Sequence, residues 1–383
     1  MNQFIVCVGS TDWEGINHRP QHMLRGLAAA GWRILYVNAP ITWLSPLKNR
    51  SLLRKWDTQW RSAEAEPGIR VLNPPVVAPF GSMWAASNIW NQNRLARAIN
   101  AELEREDAVS YVLYTLLPSA ADLLPLLSGD CRILYDCVDD HAAFTGLISK
   151  DYVTDLERRI TKESDIVFAT SEKLAERLRA FAGHPYLMPN GVHVDHFSVT
   201  ADKRERGQAF KKSLDADVVV GFVGGIADWI DTDMLAELAE LRPQYTLVLV
   251  GPVLTDVGRL AQLPNVRITG PKPYADLPWI VQSFDVGLSP FRLNELTESV
   301  NPVKVYEYLA AGLEVIATPM RELLPMAEAL HFARIGEELA ASVDGVVDGS
   351  LKTPPAVREK IARDNSWTKR ITETDRMLKE LLQ

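Results

Sequence analysis

Cysteine is scarce in this 383-residue sequence: Cys7, Cys131 and Cys137 are an odd number, without paired spacing, each inside an apolar run. That excludes a disulfide framework or a cysteine-based zinc site and fits buried thiols in a reducing compartment. Long apolar runs are missing as well, none approaching the roughly 20 residues that span a bilayer. The opening MNQFIVCVGS lacks the basic segment, long apolar core and small-residue cleavage site of a signal peptide and reads as a first strand. Excess positive charge is also absent, since 41 Lys and Arg against 49 Asp and Glu leave a net charge of −8, which argues against general nucleic-acid binding. The expectation is a cytoplasmic protein with at most peripheral contact at the inner face of a membrane.

Several catalytic signatures are missing too. Gly221, Gly224 and Gly225 have the wrong spacing for the dinucleotide pattern GxGxxG, and VCVGSTDWEG lacks it as well, which disfavours a nicotinamide dehydrogenase. The absence of GxxxxGK[ST], HExxH and GxSxG removes P-loop nucleotidases, the commonest zinc proteases and serine hydrolases. What remains is nucleotide binding without those loops.

The length exceeds what one hydrophobic core usually supports. Short β-branched runs (FIVCVGS, RILYVNAP, SYVLYTLLP, CRILYDCVDD, IVFATS) alternate with helical patterns, the rhythm of a parallel sheet covered on both faces. A polar stretch follows, and then a second series begins with VVVGFVGG and continues through TLVLVGPV, VRITGPKP, DVGLSPF and EVIATP. The reading is α/β, two doubly wound domains facing across a cleft, with a first domain over 1–197, a linker over 198–216 and a second domain over 217–365. The amphipathic helix 366–383 is expected to pack back on the first domain.

The stretch SVNPVKVYEYLAAG reads as a short helix with Asn301 as N-cap, Pro302 at the first helical position and Gly312 at its end. Lys304 and Glu307 share one face. A surface salt bridge is the plain interpretation, but Lys before Glu is the weaker order and places a cation at the positive end of the helix dipole. The alternative is an anion at the helix N-terminus beside Lys304, with Glu307 accepting from two sugar hydroxyls, as a nucleotide diphosphate and its ribose would require. Gly224 and Gly225 after a strand suit close backbone approach to phosphate, although such a turn is also ordinary architecture. In YDCVDDHAAF, Asp139, Asp140 and His141 follow a strand, where a carboxylate takes a proton from a hydroxyl or else caps the next helix. His18 and Arg19, just before the first helix, are candidates for acceptor or phosphate, with a structural ion pair the alternative for Arg19. In 43–63, Trp43, Leu52, Leu53, Trp56 and Trp60 interleave with Lys48, Arg50, Arg54, Lys55 and Arg61; Leu52, Trp56 and Trp60 recur at helical spacing. This is either an interfacial helix on anionic lipid or a core-facing stripe with a solvated basic side.

SPFRLNELTESVNPVKVYEYLAAGLEVIATP closely resembles the donor-binding segment of bacterial sugar-nucleotide glycosyltransferases with the GT-B fold, of the kind that build surface polysaccharides. RPQHMLRGLAAAGWRILYV, YDCVDDHAAF, PNGVHVDHF, GFVGGIADW and VRITGPKPYADLPWIVQSFDVGLSPF extend the resemblance over nearly the whole chain. It implies transfer of a sugar from a nucleotide-diphosphate donor, with uridine diphosphate the family-level expectation, to a hydroxyl of a glycan or lipid-linked acceptor, without an obligatory cofactor or metal. Glu307 then holds the ribose; Ser299, Val300, Asn301 and Lys304 lie beside the diphosphate; Lys272 and Tyr274 lie near the base; and Arg292, Asn294, Glu295 and Thr297 lie near the donor sugar. In an inverting enzyme Asp139 is the expected base, with Asp140 and His141 behind it. Two departures stand out. Ser299 replaces the glutamate that many retaining members carry eight positions before Glu307, and GGIADWID lacks their Arg and Lys after the glycine turn. A sugar-nucleotide epimerase and a non-catalytic nucleotide-binding protein are the competing readings.

Overall fold

The computed structural model of the chain describes residues 3–15, 17–48, 50–144, 146–181 and 183–383. They divide into two compact α/β units, one running up to Pro189 and including Arg370–Gln383, the other Asn190–Lys369. The boundary therefore falls at Asn190, ahead of the expected 197.

The first unit holds β1 (Phe4–Val8), β2 (Arg33–Val37), β3 (Ser62–Glu66), β4 (Ile69–Leu72), β5 (Ser110–Thr115), β6 (Asp130–Cys137), β7 (Ile166–Ala169) and β8 (Tyr186–Leu187). Their order is β3-β4-β2-β1-β5-β6-β7-β8, parallel throughout except for β3. β1 and most of β2 and β5 are fully buried, as a sheet covered on both faces requires. The main helices before Pro189 are α1 (Arg19–Ala29), α2 (Ala85–Arg105), α3 (Lys150–Glu163) and α4 (Glu172–Ala180). α3 and α4 start where Ser149 and Ser171 accept from the N–H groups of Tyr152 and Leu174. Strand order reverses between β1 and β5, so the carboxyl ends of these strands open the crevice where such sheets take ligands.

The second unit holds β9 (Val219–Val223), β10 (Thr246–Val250), β11 (Val266–Gly270), β12 (Val286–Ser289), β13 (Glu314–Ala317) and β14 (His331–Phe332). Their order is β11-β10-β9-β12-β13-β14, all parallel, and the reversal lies between β9 and β12. Residues 198–216, expected as a linker, contain α5 (Ala201–Ser213), capped by Thr200. α5 has no apolar stripe. It docks through Gly207, where a side chain would meet backbone of Trp279 and Gln282 at 2.8 and 2.9 Å. α6 (Thr232–Leu241) and α7 (Val303–Ala310) follow, and α8 (Trp367–Leu381) begins in the second unit and ends in the first. There Trp32 Nε1 donates to Asp375 at 2.7 Å, and Gly26 leaves the room that Ile371 occupies.

The described residues within 43–63 do not form the single helix expected for them. Three short helical pieces, Ser45–Lys48, Arg50–Leu53 and Arg54–Thr58, replace one continuous helix, and the last buries no residue, which removes the core-facing reading. Among the described residues no helix is long and apolar enough to cross a membrane.

Candidate functional site

In the second unit the candidate donor residues gather at the carboxyl end of β9. α7 begins one residue later than its sequence suggests: Pro302 is the N-cap and no side chain caps the helix. Asn301 has another task, accepting from Asn190 N–H at 3.1 Å and donating from Nδ2 to the Tyr306 hydroxyl at 2.9 Å. The first-turn N–H groups of α7 are thus left uncapped, with no acidic residue in that turn. The other end follows expectation. Gly312 adopts φ +77°, and Gly312 and Leu313 N–H bond back to Leu309 and Tyr308 in a Schellman motif.

Lys304 Nζ donates to Glu307 Oε2 at 2.8 Å. This is not the exposed pair of the plain reading, because the Glu307 side chain is 3% exposed and that of Lys304 28%. Burial raises the Tyr274 and Tyr308 hydroxyls, and the negative charge of Glu307 raises both further, so the carboxylate lies close to two aromatic side chains. Tyr308 accepts at its hydroxyl from Val223 N–H at 2.8 Å, which ties α7 to the residue preceding Gly224. Tyr274 stacks on His196 with ring centroids 4.6 Å apart and planes at 16°, while His196 Nε2 donates to Tyr274 O at 3.2 Å. Helical spacing places Tyr308 on the face of Lys304 and Glu307, but its tie to Val223, like that of His196 to Tyr274, joins positions 85 and 78 apart that no local spacing reveals.

The glycine turn after β9 is tight. A Cβ on Gly251 would lie 1.8 Å from Gly224 O, so the ends of β9 and β10 approach only because no side chain intervenes. The helix after this turn starts only at Thr232. Residues 226–231 are stapled to the loops after β10 and β12 through the bridges Ile226–Val253 and Ile230–Phe291 before α6 starts. The N-terminus of α6 is already filled, since the Asp231 carboxylate accepts from Met234 N–H. Arg292 is committed there too, with Nη2 3.1 Å from Asp233 and 3.9 Å from Asp231. Asn294 and Thr297 bond reciprocally, at 3.0 Å each way, so these three side chains build the loop. Lys272 and Glu295 are exposed, and Ser299 is buried four positions ahead of the first residue of α7.

In the first unit, loops at the carboxyl ends of β1, β5 and β6 converge. Arg19 takes the structural alternative: its Nε donates to Asp136 Oδ2 at 2.7 Å, the Tyr114 hydroxyl donates to the same oxygen, and Arg19 Nη1 donates to Pro189 O. Both partners of that ion pair are buried. Asp140 is structural as well. Its Oδ1 accepts from Ala142 and Ala143 N–H, and its Oδ2 pairs with Arg177, which also holds Glu157 at 2.8 Å. His141 Nε2 donates to Leu116 O at 3.0 Å. Asp139 differs from its neighbour. Desolvation and the adjacent Asp140 push its carboxyl above the usual range, against opposing contributions from His141 and His18. His18 and His141 thus lie near enough to act electrostatically on Asp139.

Residues 217–346 match the family Glycosyl transferases group 1. Over 275 residues the chain is 28% identical to TuaH of Bacillus subtilis, a protein assigned to teichuronic acid biosynthesis as a glycosyltransferase, covering 67% of this chain and 68% of that one. Sucrose-phosphate synthase of Thermosynechococcus elongatus shares the fold with a TM-score of 0.74 at 16% identity, covering 99% of each chain. HepE of Anabaena, solved in complex with UDP-glucose, does so with a TM-score of 0.68 at 15% identity, again over 99% of each. The second unit thus carries the segment that matches the group 1 glycosyltransferases, and the two parallel-sheet units have the GT-B fold.

Proposed function

We propose that the chain transfers a sugar from a UDP-sugar to a hydroxyl of a glycan or lipid-linked acceptor in the synthesis of a cell-surface polysaccharide. The observation that carries this reading is the buried Glu307 paired with Lys304 on the uncapped first turns of α7. A carboxylate in that position accepts from both ribose hydroxyls, while Lys304 and the free N–H groups take the diphosphate. Arg292 is held by Asp233 and Asp231 beside α6, whereas Lys304, though paired with Glu307, stands on the first turn of α7 itself. The tie to surface polysaccharide rests on the likeness to TuaH, and the choice of uridine on the UDP-glucose complex of HepE.

In the proposed reaction the acceptor oxygen bonds to the anomeric carbon as the bond from that carbon to the β-phosphate oxygen breaks. The electron pair leaves with UDP, and the hydroxyl proton passes to Asp139. A carboxyl raised by desolvation is a better base than an ordinary aspartate, and His18 and His141 steady the charge around it. Lys304 and the α7 N–H groups stabilise the negative charge growing on the diphosphate.

The test is UDP release from a panel of UDP-sugars with and without lipid-linked acceptors. Acceptor-dependent release that is lost in Glu307→Ala and Asp139→Asn supports the proposal. Conversion of a UDP-sugar into its epimer without acceptor would replace it with the epimerase reading.

A further inference from the structure

We propose that the first unit carries a docking face for an anionic phospholipid surface. The face unites two segments distant in sequence. Trp43 and Trp90 meet edge to face with centroids 6.0 Å apart, and the Arg94 guanidinium lies 4.9 Å from the Trp90 ring and 5.5 Å from the Trp60 ring. The exposed stripe of α2, including Ile89 and Trp90, thereby continues the turns of residues 43–60. The apolar side chains here are turned outward: Leu47 is 82% exposed, Trp84 57% and Leu53 50%. Single exposed leucines are common, but a contiguous group with several tryptophans marks an interaction surface.

Charge selects the partner. Residues 43–61 and 85–97 contain seven Lys and Arg and a single acid, Asp57, within a chain whose net charge is −8. Arg50, Arg54, Arg61 and Arg97 hold no carboxylate among the described residues. Comparably exposed arginines elsewhere, such as Arg105, Arg179 and Arg376, each do. Cations left without acids beside outward tryptophans suit a layer that is anionic at the surface and apolar beneath, where indole rings sit at the interface and guanidinium groups reach phosphate. A second copy of the chain fits poorly, because a self-complementary contact would press these arginines against one another.

This proposal does not rest on the transferase reading. Its test is flotation of the full chain with vesicles of phosphatidylcholine alone or mixed with phosphatidylglycerol, at low and high salt. The expected result is binding to the mixed vesicles only, weakening steeply with salt, with a blue shift of tryptophan emission. Arg50→Gln and Arg54→Gln are each expected to weaken binding about fivefold. Trp43→Ser combined with Leu47→Ser should abolish the emission shift, with thermal unfolding and UDP affinity unchanged. No binding to mixed vesicles, or binding that survives both sets of variants, overturns the proposal. So does a dimer on a sizing column that Trp43→Ser dissolves, which would assign the face to a second copy. Should the tryptophan variant misfold, the arginine variants still decide.

Discussion

Replacing Lys304 with methionine removes the ammonium group that touches Glu307 while keeping the length of the side chain. Two consequences follow, and they separate. In the free protein, Glu307 becomes a carboxylate 3% exposed and without its cation. Breaking a fully buried pair costs about 3–5 kcal/mol, but Lys304 is 28% exposed and water reaches its position, so about 1–3 kcal/mol of stability is expected to go. In the complex, a charge-assisted hydrogen bond to phosphate is lost, worth about 1.5–3 kcal/mol, or roughly 10- to 150-fold in UDP affinity. The double variant Lys304→Met with Glu307→Gln should recover most of the stability, because a neutral amide then replaces the stranded charge, yet it should not recover the affinity. Calorimetric titration with UDP and with uridine reads the second effect, and thermal unfolding reads the first. Lys304→Met should weaken UDP far more than uridine. Equal weakening of the two ligands, or unchanged UDP affinity, would refute the phosphate role and leave Lys304 as a structural partner of Glu307.

Other predictions concern different parts of the molecule. Asp139→Asn should lower turnover by about 10²–10⁴ with little change in UDP affinity. Because the Asp139 carboxyl is raised, the acid limb of the wild-type rate profile should fall at higher pH than an ordinary aspartate would give, as protonation removes the base. Glu314 sits against His331, Thr353 N–H and Arg358; burial opposes its ionisation, but these partners outweigh it and bring its pKa down to about 2. Its stabilisation is present above the unfolded value of 4.5 and lost as pH falls towards 2. Glu314→Gln should therefore be less stable by up to about 3 kcal/mol at neutral pH in urea melts, with the gap closing in acid. Gly251→Ala should unfold the second unit or cost several kcal/mol by thermal denaturation, since the added methyl lands on Gly224 O.

The fold was largely legible because its strands announce themselves. FIVCV, YVLYT, VVGFV and TLVLV are continuous apolar runs that only a covered parallel sheet can bury. β3 gave no such signal: SAEAE lies at the sheet edge, and its central residues are exposed. α5 was hidden for a different reason, since it packs through the missing side chain of Gly207 and the single ring of Phe210 on Trp279 and not through an apolar stripe. In the site, Lys304 and Glu307 were legible because helical spacing alone places them together. The partners of Arg292, Asn294 and Thr297 were not legible, because sequence order shows nearness to the site but not which groups a side chain bonds. Asp140 became structural through Arg177, a partner on another helix that no local pattern reveals.

The most direct test of the central claim is a crystal structure of the chain soaked with UDP. The account predicts both ribose hydroxyls on the Glu307 carboxylate and the diphosphate against Lys304 and the first turn of α7, with the Lys304–Glu307 pair opened. A nucleotide bound away from α7, or one that leaves that pair intact, would contradict it.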